Sequence, residues 1–318
     1  MVKNEFKEVA SKKEKTMTSS SKPLTEKRKL TRYKDNKTAY FMLSPAFLLL
    51  TIFAVVPLIM AIIRSFQDYN TGEFCGFDNF DYVLKTPSFV NSFVNVSLFT
   101  LIVVACTMVF SFLFANLLVQ INKKVADILK IIIYVPCLIS GVVVSIIFMF
   151  IFNYGGGLLT SILVGLGIPP ISFQTEGLWP IVCILLPTFW LGFGYNTLVM
   201  YAGLMNVPKS YYEAADIDGA NRFQKMVHIT FPSMKNTFVL MLVNLVTVSL
   251  QMMEIPYLIT GGGPLDLTMT PSLYLFNSFR DGNRPQNVTI AGALLIMLVI
   301  LLINVVIFAL IKSGKTEE

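Results

Sequence analysis

The sequence predicts an all-α integral membrane protein with six transmembrane helices, because its composition and its long apolar segments both indicate this class. Of the 318 residues, 54% are hydrophobic and only 14% are charged. Soluble domains carry about 25% charged residues and lack apolar stretches of 20 or more residues. The apolar segments are continuous rather than alternating with every second residue, which favours helices over strands. The composition therefore excludes the class of soluble cytosolic enzymes.

Six segments are long enough to cross the hydrocarbon core of a bilayer, which takes about 20 mostly apolar residues in a helix. They occupy residues 40–63, 93–121, 131–152, 178–204, 238–258 and 288–311. The second and fourth segments exceed one perpendicular crossing, so they tilt or extend beyond the bilayer. We therefore expect residues 40–312 to form one six-span transmembrane domain.

The distribution of basic residues predicts the orientation of these spans. Residues 1–39 hold 12 Lys and Arg and few large apolar residues, which is typical of a flexible basic tail close to lipid headgroups. If this tail is cytoplasmic, 21 of the 25 Lys and Arg lie inside and four lie outside. Basic residues near span ends are retained in the cytoplasm, so both tails, 1–39 and 313–318, are predicted to be cytoplasmic. The net positive charge then reflects topology, and no nucleic-acid partner is expected.

Little in the sequence supports catalysis or metal binding. The four cysteines show no metal-ligand spacing, and the single histidine, His228, cannot build a metal site or a His-based triad. The sequence also lacks the Gly-x-x-x-x-Gly-Lys-Ser/Thr phosphate loop, so this chain cannot cradle ATP itself. We predict no catalytic residues, no metal site and no cofactor bound by this chain.

Residues 205–232, between the fourth and fifth spans, form the one long cytoplasmic loop. Its helix-capping and helix-ending residues predict two short helices. Ser210 and Glu213 have the spacing of a capping box, and Gly219 is suited to the left-handed conformation that ends a helix. Asn221 and Gln224 have the spacing of a cap at the start of a second helix, and Pro232 is expected to end that helix. The loop is thus predicted to lie at the inner membrane surface as helix, turn and helix.

This loop resembles the EAA loop of ATP-binding-cassette importer permeases. The matching residues are Glu213-Ala214-Ala215, Asp218-Gly219-Ala220, Ile229 and Pro232. In that family the loop forms the coupling helix, which sits in a cleft of the cytoplasmic ATPase subunit. The resemblance therefore implies an ATPase-docking element here. Its residues would be Tyr212, Glu213, Ala214, Ala215, Asp218, Gly219 and Ala220.

Further motifs resemble the maltose or multiple-sugar type of permease, and within it the first-permease subunit. They are Ser65-Phe66-Gln67-Asp68-Tyr69-Asn70 with Phe74 and Gly76-Phe77-Asp78-Asn79-Phe80, Trp190-Leu191-Gly192 with Tyr195, and Thr260-Gly261-Gly262-Gly263-Pro264 with Thr268 and Thr270. Residues 281–287 depart from the glycine-aromatic pair usual in relatives, which leaves the identity of the substrate open.

The resemblance implies an assembly in a bacterial or archaeal inner membrane, in contact with membrane lipid. The expected partners are a second six-span permease forming a heterodimer with this chain, two ATPase subunits and an extracellular solute-binding protein. ATP and Mg would bind to the ATPase subunits, and the transported substrate would be a sugar.

Polar residues within spans are costly in hydrocarbon and so tend to face a bundle interior or a cavity. Sugars need donors and acceptors for their hydroxyls, and their apolar ring faces stack on aromatic side chains such as Tyr195 and Phe193. Thr197 is a further polar neighbour of Tyr195. The predicted substrate path comprises Gly192, Tyr195, Asn196, Ser249, Gln251 and Glu254.

Three other functions stay open at this point. A glycerol-phosphate importer would belong to the same family, although no Lys or Arg lies inside any predicted span to attract a phosphate. An ion-driven secondary transporter is expected to show inverted repeats and several intramembrane carboxylates, whereas only Glu254 lies at depth. A membrane receptor or scaffold is compatible with the composition.

Overall fold

The computed structural model describes residues 25–282 and 285–312, and it divides the chain into two compact units at Met60. The first unit contains helix α1, Thr25–Leu50, followed by one π-helical turn, Thr51–Val55. Helix α1 begins inside the segment predicted to be a basic tail. The rest of the predicted tails, residues 1–24 and 313–318, lies outside the described residues.

The second unit starts at Ala61, within helix α2, Val56–Ser65. Turns and longer loops connect the helices that follow. These are α3 Asp78–Lys85, α4 Pro87–Gln120, α5 Lys123–Tyr134, α6 Gly141–Ile151, α7 Leu158–Gly165, α8 Trp179–Met205, α9 Lys209–Ile217, α10 Arg222–Lys225, α11 Phe231–Ser233, α12 Lys235–Leu250, α13 Glu254–Ile259, α14 Pro271–Asp281 and α15 Gln286–Lys312. Within the described ranges no strand forms, apart from one isolated bridge between Gln67 and Phe74. The all-helical class is confirmed.

Five helical stretches in the described part of the chain are long and apolar enough to cross a membrane. They are Lys37–Ser65, Pro87–Gln120, Trp179–Met205, Lys235–Ile259 and Gln286–Ala309. A sixth is obtained if the bent pair Lys123–Leu138 and Gly141–Ile151 is counted as one span. The apolar architecture predicted from the sequence is therefore confirmed at the level of five to six candidate spans.

The predicted third span, residues 131–152, is not a straight helix. Its two halves meet at 96°. Pro136 lies in a 3₁₀ turn, Val135–Leu138, and the Ser140 hydroxyl then accepts a hydrogen bond from the Val143 N–H at the start of α6. Proline lacks the N–H that would continue an α-helical ladder, and serine favours a new start. The expectation of a continuous helix here is wrong for this reason.

The long helices α4 and α8 pack along one another and form the main scaffold of the second unit. Helix α5 crosses α8 at Gly194, where the two backbones come close. A Cβ atom added at Gly194 would lie 1.9 Å from the carbonyl oxygen of Ile133. Only glycine allows this crossing, so Gly194 has a packing role.

Two apolar clusters fill the spaces between these helices. One joins α4, α6, α8 and the α12–α13 region, with Phe99, Phe148 and Ile184 at its centre. The other joins α4, α8 and α12 around Met200 and Met241. These buried side chains hold the walls of the cavity described below.

The predicted fifth span, residues 238–258, is interrupted where it borders that cavity. Helix α12 ends at Leu250 and α13 begins at Glu254, so three residues between them are not helical. The Thr270 hydroxyl donates a hydrogen bond of 2.8 Å to the carbonyl oxygen of Met252 in this break. Thr270 thereby satisfies a backbone acceptor that the broken helix leaves free, which gives one residue of the Thr260–Thr270 motif a structural role.

The first loop of the second unit is fixed by local hydrogen bonds. The side-chain amide of Asn79 donates to the carbonyl oxygens of Ser65 and Gln67, and Asn287 also donates to Gln67. The carboxylate of Asp68 accepts the backbone N–H groups of the turn at residues 70–71, and these hydrogen bonds lower the pKa of Asp68 from its ordinary value.

Candidate functional site

A cavity of about 760 Å³ lies between α8, the α12–α13 break and the bend between α5 and α6. All six residues of the predicted substrate path line it. Three come from α8 and three from the end of α12 and the start of α13: Gly192, Tyr195 and Asn196, and Ser249, Gln251 and Glu254. The fold thus brings together two groups that are more than 50 positions apart in sequence.

The wall formed by α8 combines an aromatic ring with a hydrogen-bonded amide. Tyr195 is 45% exposed, and its backbone N–H donates to the Cys137 sulfur at 3.2 Å. The side-chain amide of Asn196 donates to the carbonyl oxygen of Gly192 at 2.7 Å. A Cβ atom added at Gly192 would contact only the Asn196 amide nitrogen, at 3.5 Å. Gly192 therefore leaves open space beside the tyrosine ring.

The opposite wall is formed by the interrupted helix. Ser249 is buried, whereas Gln251 and Glu254 are exposed to the cavity. Glu254 is the only residue of the Asp, Glu, Lys, Arg or His types among the described residues that line this cavity. The cavity therefore offers a single carboxylate among neutral donors and acceptors.

Several lining residues were not predicted from the sequence. Thr107, Tyr134, Cys137, Thr188 and Asn244 also line the cavity. Thr107 and Asn244 are polar residues within long apolar stretches. The criterion that selected Asn196 and Ser249, a polar residue inside a span, also applies to them. Tyr134 and Cys137 reach the cavity only because the third span bends, which the sequence analysis did not anticipate.

One of these additional residues has an unsatisfied hydroxyl. Thr107 is 1% exposed, and its oxygen has no hydrogen-bond partner within the described part of the chain. Buried hydroxyls in native proteins usually have a partner. The Thr107 oxygen is itself buried, so this unpaired hydroxyl lies beneath the cavity surface and is not open to it.

Two residues named beside Tyr195 lie elsewhere. Phe193 does not line the cavity; it packs against Phe114 and Phe189, with ring centroids 5.5 and 5.4 Å away. Thr197 is buried and donates to the carbonyl oxygen of Phe193 at 2.7 Å. On a helix, residues two positions apart face different sides, so Phe193 cannot share the orientation of Tyr195. The expectation that Phe193 contacts a ligand there is wrong.

The loop of residues 205–232 forms the predicted helices with one difference at its start. Helix α9 begins at Lys209 after Pro208, and no side-chain cap is present. The predicted capping box of Ser210 and Glu213 is therefore wrong, because Pro208 takes the N-cap position two residues before Ser210. Gly219 has φ +74°, and the Ala220 N–H donates to the carbonyl oxygen of Ala215 at 2.9 Å, which closes the helix.

The second half of the loop starts as predicted and ends later. Asn221 and Gln224 form a reciprocal capping box, with hydrogen bonds of 2.9 and 2.8 Å. The helix then passes through a π-helical turn, Met226–Thr230, and continues to Ser233. Pro232 occupies the first turn of α11, where its missing N–H is tolerated, so it does not stop the helix.

The residues of the predicted docking element divide into an inner and an outer face. The Tyr212 hydroxyl is 2.9 Å from the Thr230 hydroxyl, and its ring packs on the cluster around Met200. Ala215 and Ala220 are half-buried, whereas Glu213, Ala214, Asp218 and Gly219 are exposed. Ile217 is 88% exposed at the end of α9 and was not singled out from the sequence.

An ion pair joins the two halves of this loop. Lys225 on α10 pairs with Asp216 on α9. Beside it lies a cleft of about 360 Å³ lined by Ala215, Asp218, Gly219 and His228 among others. The exposed end of α9 is therefore held rigidly while its acidic and apolar side chains stay accessible.

Long apolar helices surround a mostly apolar cavity that holds several polar side chains, an arrangement typical of membrane transport proteins. Comparison with known families agrees. The family described as binding-protein-dependent transport system inner membrane component matches residues 108–313, more than half of the chain. The chain belongs to this family, which confirms its resemblance to importer permeases.

Individual relatives extend the match over most of the chain. A sulfoquinovosyl glycerol transport system permease of Agrobacterium fabrum is 30% identical, covering 76% of this chain and 80% of that protein. An arabinooligosaccharides transport system permease of Bacillus subtilis is 31% identical, covering 89% and 90%. A solved bacterial ABC transporter involved in the import of the acidic polysaccharide alginate has the same fold, with a TM-score of 0.79 at 21% identity, covering 91% of this chain and 100% of that one.

Proposed function

We propose that this chain is one of the two permease subunits of an ATP-driven importer and that a sugar or oligosaccharide passes through its cavity. The observation that carries the proposal is the convergence of six polar, aromatic or glycine residues, chosen from the sequence alone, on one cavity of about 760 Å³. Ligand sites in proteins commonly measure about 300 to 1,000 Å³. A cavity of this size accommodates one or two sugar rings.

The chemistry of the lining suits a polyhydroxylated ligand. Gln251 and Ser249 offer neutral donors and acceptors. The exposed ring of Tyr195 provides a surface on which the apolar face of a sugar can stack. Both relatives described above are named for carbohydrate-containing substrates, which supports the same substrate class here.

We further propose six spans with both termini in the cytoplasm, counting the bent pair α5–α6 as the third span. This topology keeps 21 of the 25 Lys and Arg inside. It also places the loop of residues 205–232 on the cytoplasmic side, where an ATPase subunit can reach it. The membrane is then a bacterial or archaeal inner membrane.

Helix α9 is the proposed docking element for the ATPase. Its rigid closure at Gly219 and its exposed Glu213, Asp218 and Ile217 support this role. A short rigid helix seated in another subunit converts closure of that subunit into tilting of the attached spans. The proposed assembly also contains a second permease and an extracellular binding protein, with ATP and Mg held by two ATPase subunits.

A glycerol-phosphate importer of the same family is less well supported. A phosphate group is recognised by basic side chains, and no Lys or Arg is among the described residues that line the cavity. An ion-driven transporter is disfavoured because the cavity offers only one carboxylate, Glu254.

Gentle solubilisation of native membranes with a tag on the C-terminus tests this assembly. We expect mass spectrometry of the purified material to identify an ATPase subunit and a second permease in stoichiometric amounts. The assembly, reconstituted with its binding protein, should then hydrolyse ATP faster when a sugar is supplied. Recovery of this chain alone, under conditions where a known importer stays assembled, would contradict the proposal.

A further inference from the structure

Glu254 stands out in the cavity because it is placed at a helix start without a side-chain partner. It is the first residue of α13, it is exposed to the cavity, and the described part of the chain contains no ion pair or side-chain hydrogen bond to its carboxylate. A carboxylate in a mostly apolar wall is costly unless something nearby favours it.

The compensating element is the start of α6. A Cβ atom added at Gly141, the first residue of that helix, would lie 2.5 Å from Oε2 of Glu254. Helix α6 has 11 residues, and the N-terminal end of a helix carries a partial positive charge that stabilises a nearby anion. The carboxylate thus lies beside the first residue of α6, where the helix dipole favours its negative charge and its oxygen lone pairs stay available to a ligand.

We propose that Glu254 is a specificity-determining residue of the cavity, whose carboxylate accepts hydrogen bonds from hydroxyl groups of an uncharged saccharide and disfavours anionic ligands. Hydrogen bonds to an ionised acceptor are about twice as strong as neutral ones. A like charge close to Glu254 would be repelled. The inference rests on the proposed function as an importer permease.

The fold alone does not impose this preference. The solved importer that shares the fold takes an acidic polysaccharide, so related scaffolds accept anionic substrates. Gln251 lines the same cavity as Glu254 and can bind further hydroxyls. A neutral sugar therefore satisfies both the carboxylate and the neighbouring amide, whereas an anionic group satisfies only the donors.

The test compares Glu254→Gln with Glu176→Gln in the complete reconstituted importer with its binding protein. Glu176 lies in an exposed turn outside the cavity and undergoes the same chemical change. Gly141→Ala is a second variant, since the new methyl group displaces only the flexible end of Glu254. Neutral probes are maltotriose, arabinotriose, lactose and trehalose; anionic probes are trigalacturonate and sn-glycerol 3-phosphate. Uptake and ATP hydrolysis stimulated by the binding protein are both measured.

We expect the wild-type importer to take up a neutral probe and neither anionic probe. Glu254→Gln should lower that uptake about tenfold while ATP hydrolysis changes by less than about twofold. Gly141→Ala should shift uptake in the same direction, and Glu176→Gln should leave both rates within about twofold of the wild-type values. A purely structural role for Glu254 would instead lower uptake and ATP hydrolysis together.

Two kinds of result overturn the inference and are distinguishable. If the wild-type importer takes up a neutral probe and Glu254→Gln matches it, or loses uptake and ATP hydrolysis in parallel, the inference alone fails. If the wild-type importer takes up only an anionic probe, or none of the six, the inference fails. The proposal that this importer transports a neutral sugar then fails with it.

Discussion

The cavity and the loop of residues 205–232 differ in backbone structure and in where their polar side chains face. The cavity is bordered by broken helices and its polar side chains face inward, whereas helix α9 of the loop is unbroken and most of its polar side chains face outward. Around the cavity, helices break: α5 bends into α6, and α12 is interrupted before α13. In the loop, the helix α9 is regular, and its exposed side chains include acids and the apolar Ile217. Non-helical backbone within a membrane is tolerated where it lines a cavity, whereas a docking helix must stay rigid to transmit force.

This difference assigns separate tasks to the two regions. Changes in the cavity should alter which ligand passes and how fast, because its side chains face an enclosed space. Changes in the loop should alter the association with the ATPase and leave ligand contacts intact. Variants that separate these effects therefore test the division directly.

The largest effect is expected at the helix crossing that supports the cavity. Gly194→Ala places a methyl group 1.9 Å from the Ile133 carbonyl oxygen, so the backbones of α5 and α8 must separate. Overpacking of this kind costs about 1 to 3 kcal/mol or more. We expect a much lower yield of folded protein and a lower midpoint in thermal unfolding monitored by size-exclusion chromatography.

Gly192→Ala is the matched control for that variant, two residues away on the same helix. Its new methyl group meets only the Asn196 amide nitrogen, at an ordinary contact distance of 3.5 Å. Normal stability with altered sugar uptake is expected. Equal stability of the two variants would show that the crossing at Gly194 is not as tight as described.

The next largest effect is expected in the loop. Gly219→Pro cannot adopt φ +74°, because the proline ring fixes φ near −65°. We expect sugar uptake to fall at least about 100-fold, nearly 3 kcal/mol, and the ATPase subunit to be lost on purification, while the chain still inserts in the membrane. Uptake assays and co-purification measure both quantities.

Gly72→Pro is the control for this loop variant. Gly72 has φ +71° and donates its N–H to the Asp68 carbonyl oxygen, so the chemical conflict is the same in a turn far along the chain. The ATPase should co-purify normally with Gly72→Pro. Normal uptake by Gly219→Pro would refute the coupling role of α9.

A smaller effect is expected when the aromatic wall of the cavity is removed. Tyr195→Ala removes the exposed ring and should lower uptake of the transported sugar about tenfold, or 1.4 kcal/mol, while ATP hydrolysis stimulated by the binding protein persists. Tyr154→Ala, at an exposed tyrosine outside the cavity, should behave as wild type. A parallel loss of uptake in both variants would argue against a specific contact at Tyr195.

The smallest effect is expected at the hydrogen bond that fixes α9. Tyr212→Phe removes the hydroxyl that lies 2.9 Å from the Thr230 hydroxyl, which is worth about 1 kcal/mol. We expect a slightly lower unfolding midpoint and sugar uptake close to wild type. Combining it with Thr230→Val in a double-mutant cycle isolates the pair, and strictly additive losses would show that the two hydroxyls do not interact.

The polar residues of the cavity could be predicted from the sequence, whereas the orientation of its aromatic residues could not. Ser249, Gln251 and Glu254 were identified because polar groups in hydrocarbon are costly, and the structure places them on one wall with Asn196 and Tyr195 opposite. Phe193 could not be separated from Tyr195 in the same way, because both are aromatic residues of one apolar span. Its orientation depends on Phe114 of another helix.

The helix ends in the loop of residues 205–232 were predicted only in part. Gly219 and the pair of Asn221 and Gln224 were predicted correctly because their signals are local: a left-handed turn and a reciprocal cap. The pair of Ser210 and Glu213 has equally good spacing, yet Pro208 sets the start of α9 instead. The spacing of two residues therefore does not decide a helix start when a proline nearby offers another.

The sequence by itself determined the all-helical membrane class, the candidate spans, the loop helices and the family, because each depends on composition, hydrophobic length or local motifs. Only the tertiary structure decided that the third span bends by 96°, that Gly194 admits a second backbone and that Glu254 meets Gly141. The bend occurs at the local signals of Pro136 and Ser140, which do not fix its angle. The other two features depend on contacts between segments distant in sequence. Such contacts leave no periodic or compositional trace in either segment alone.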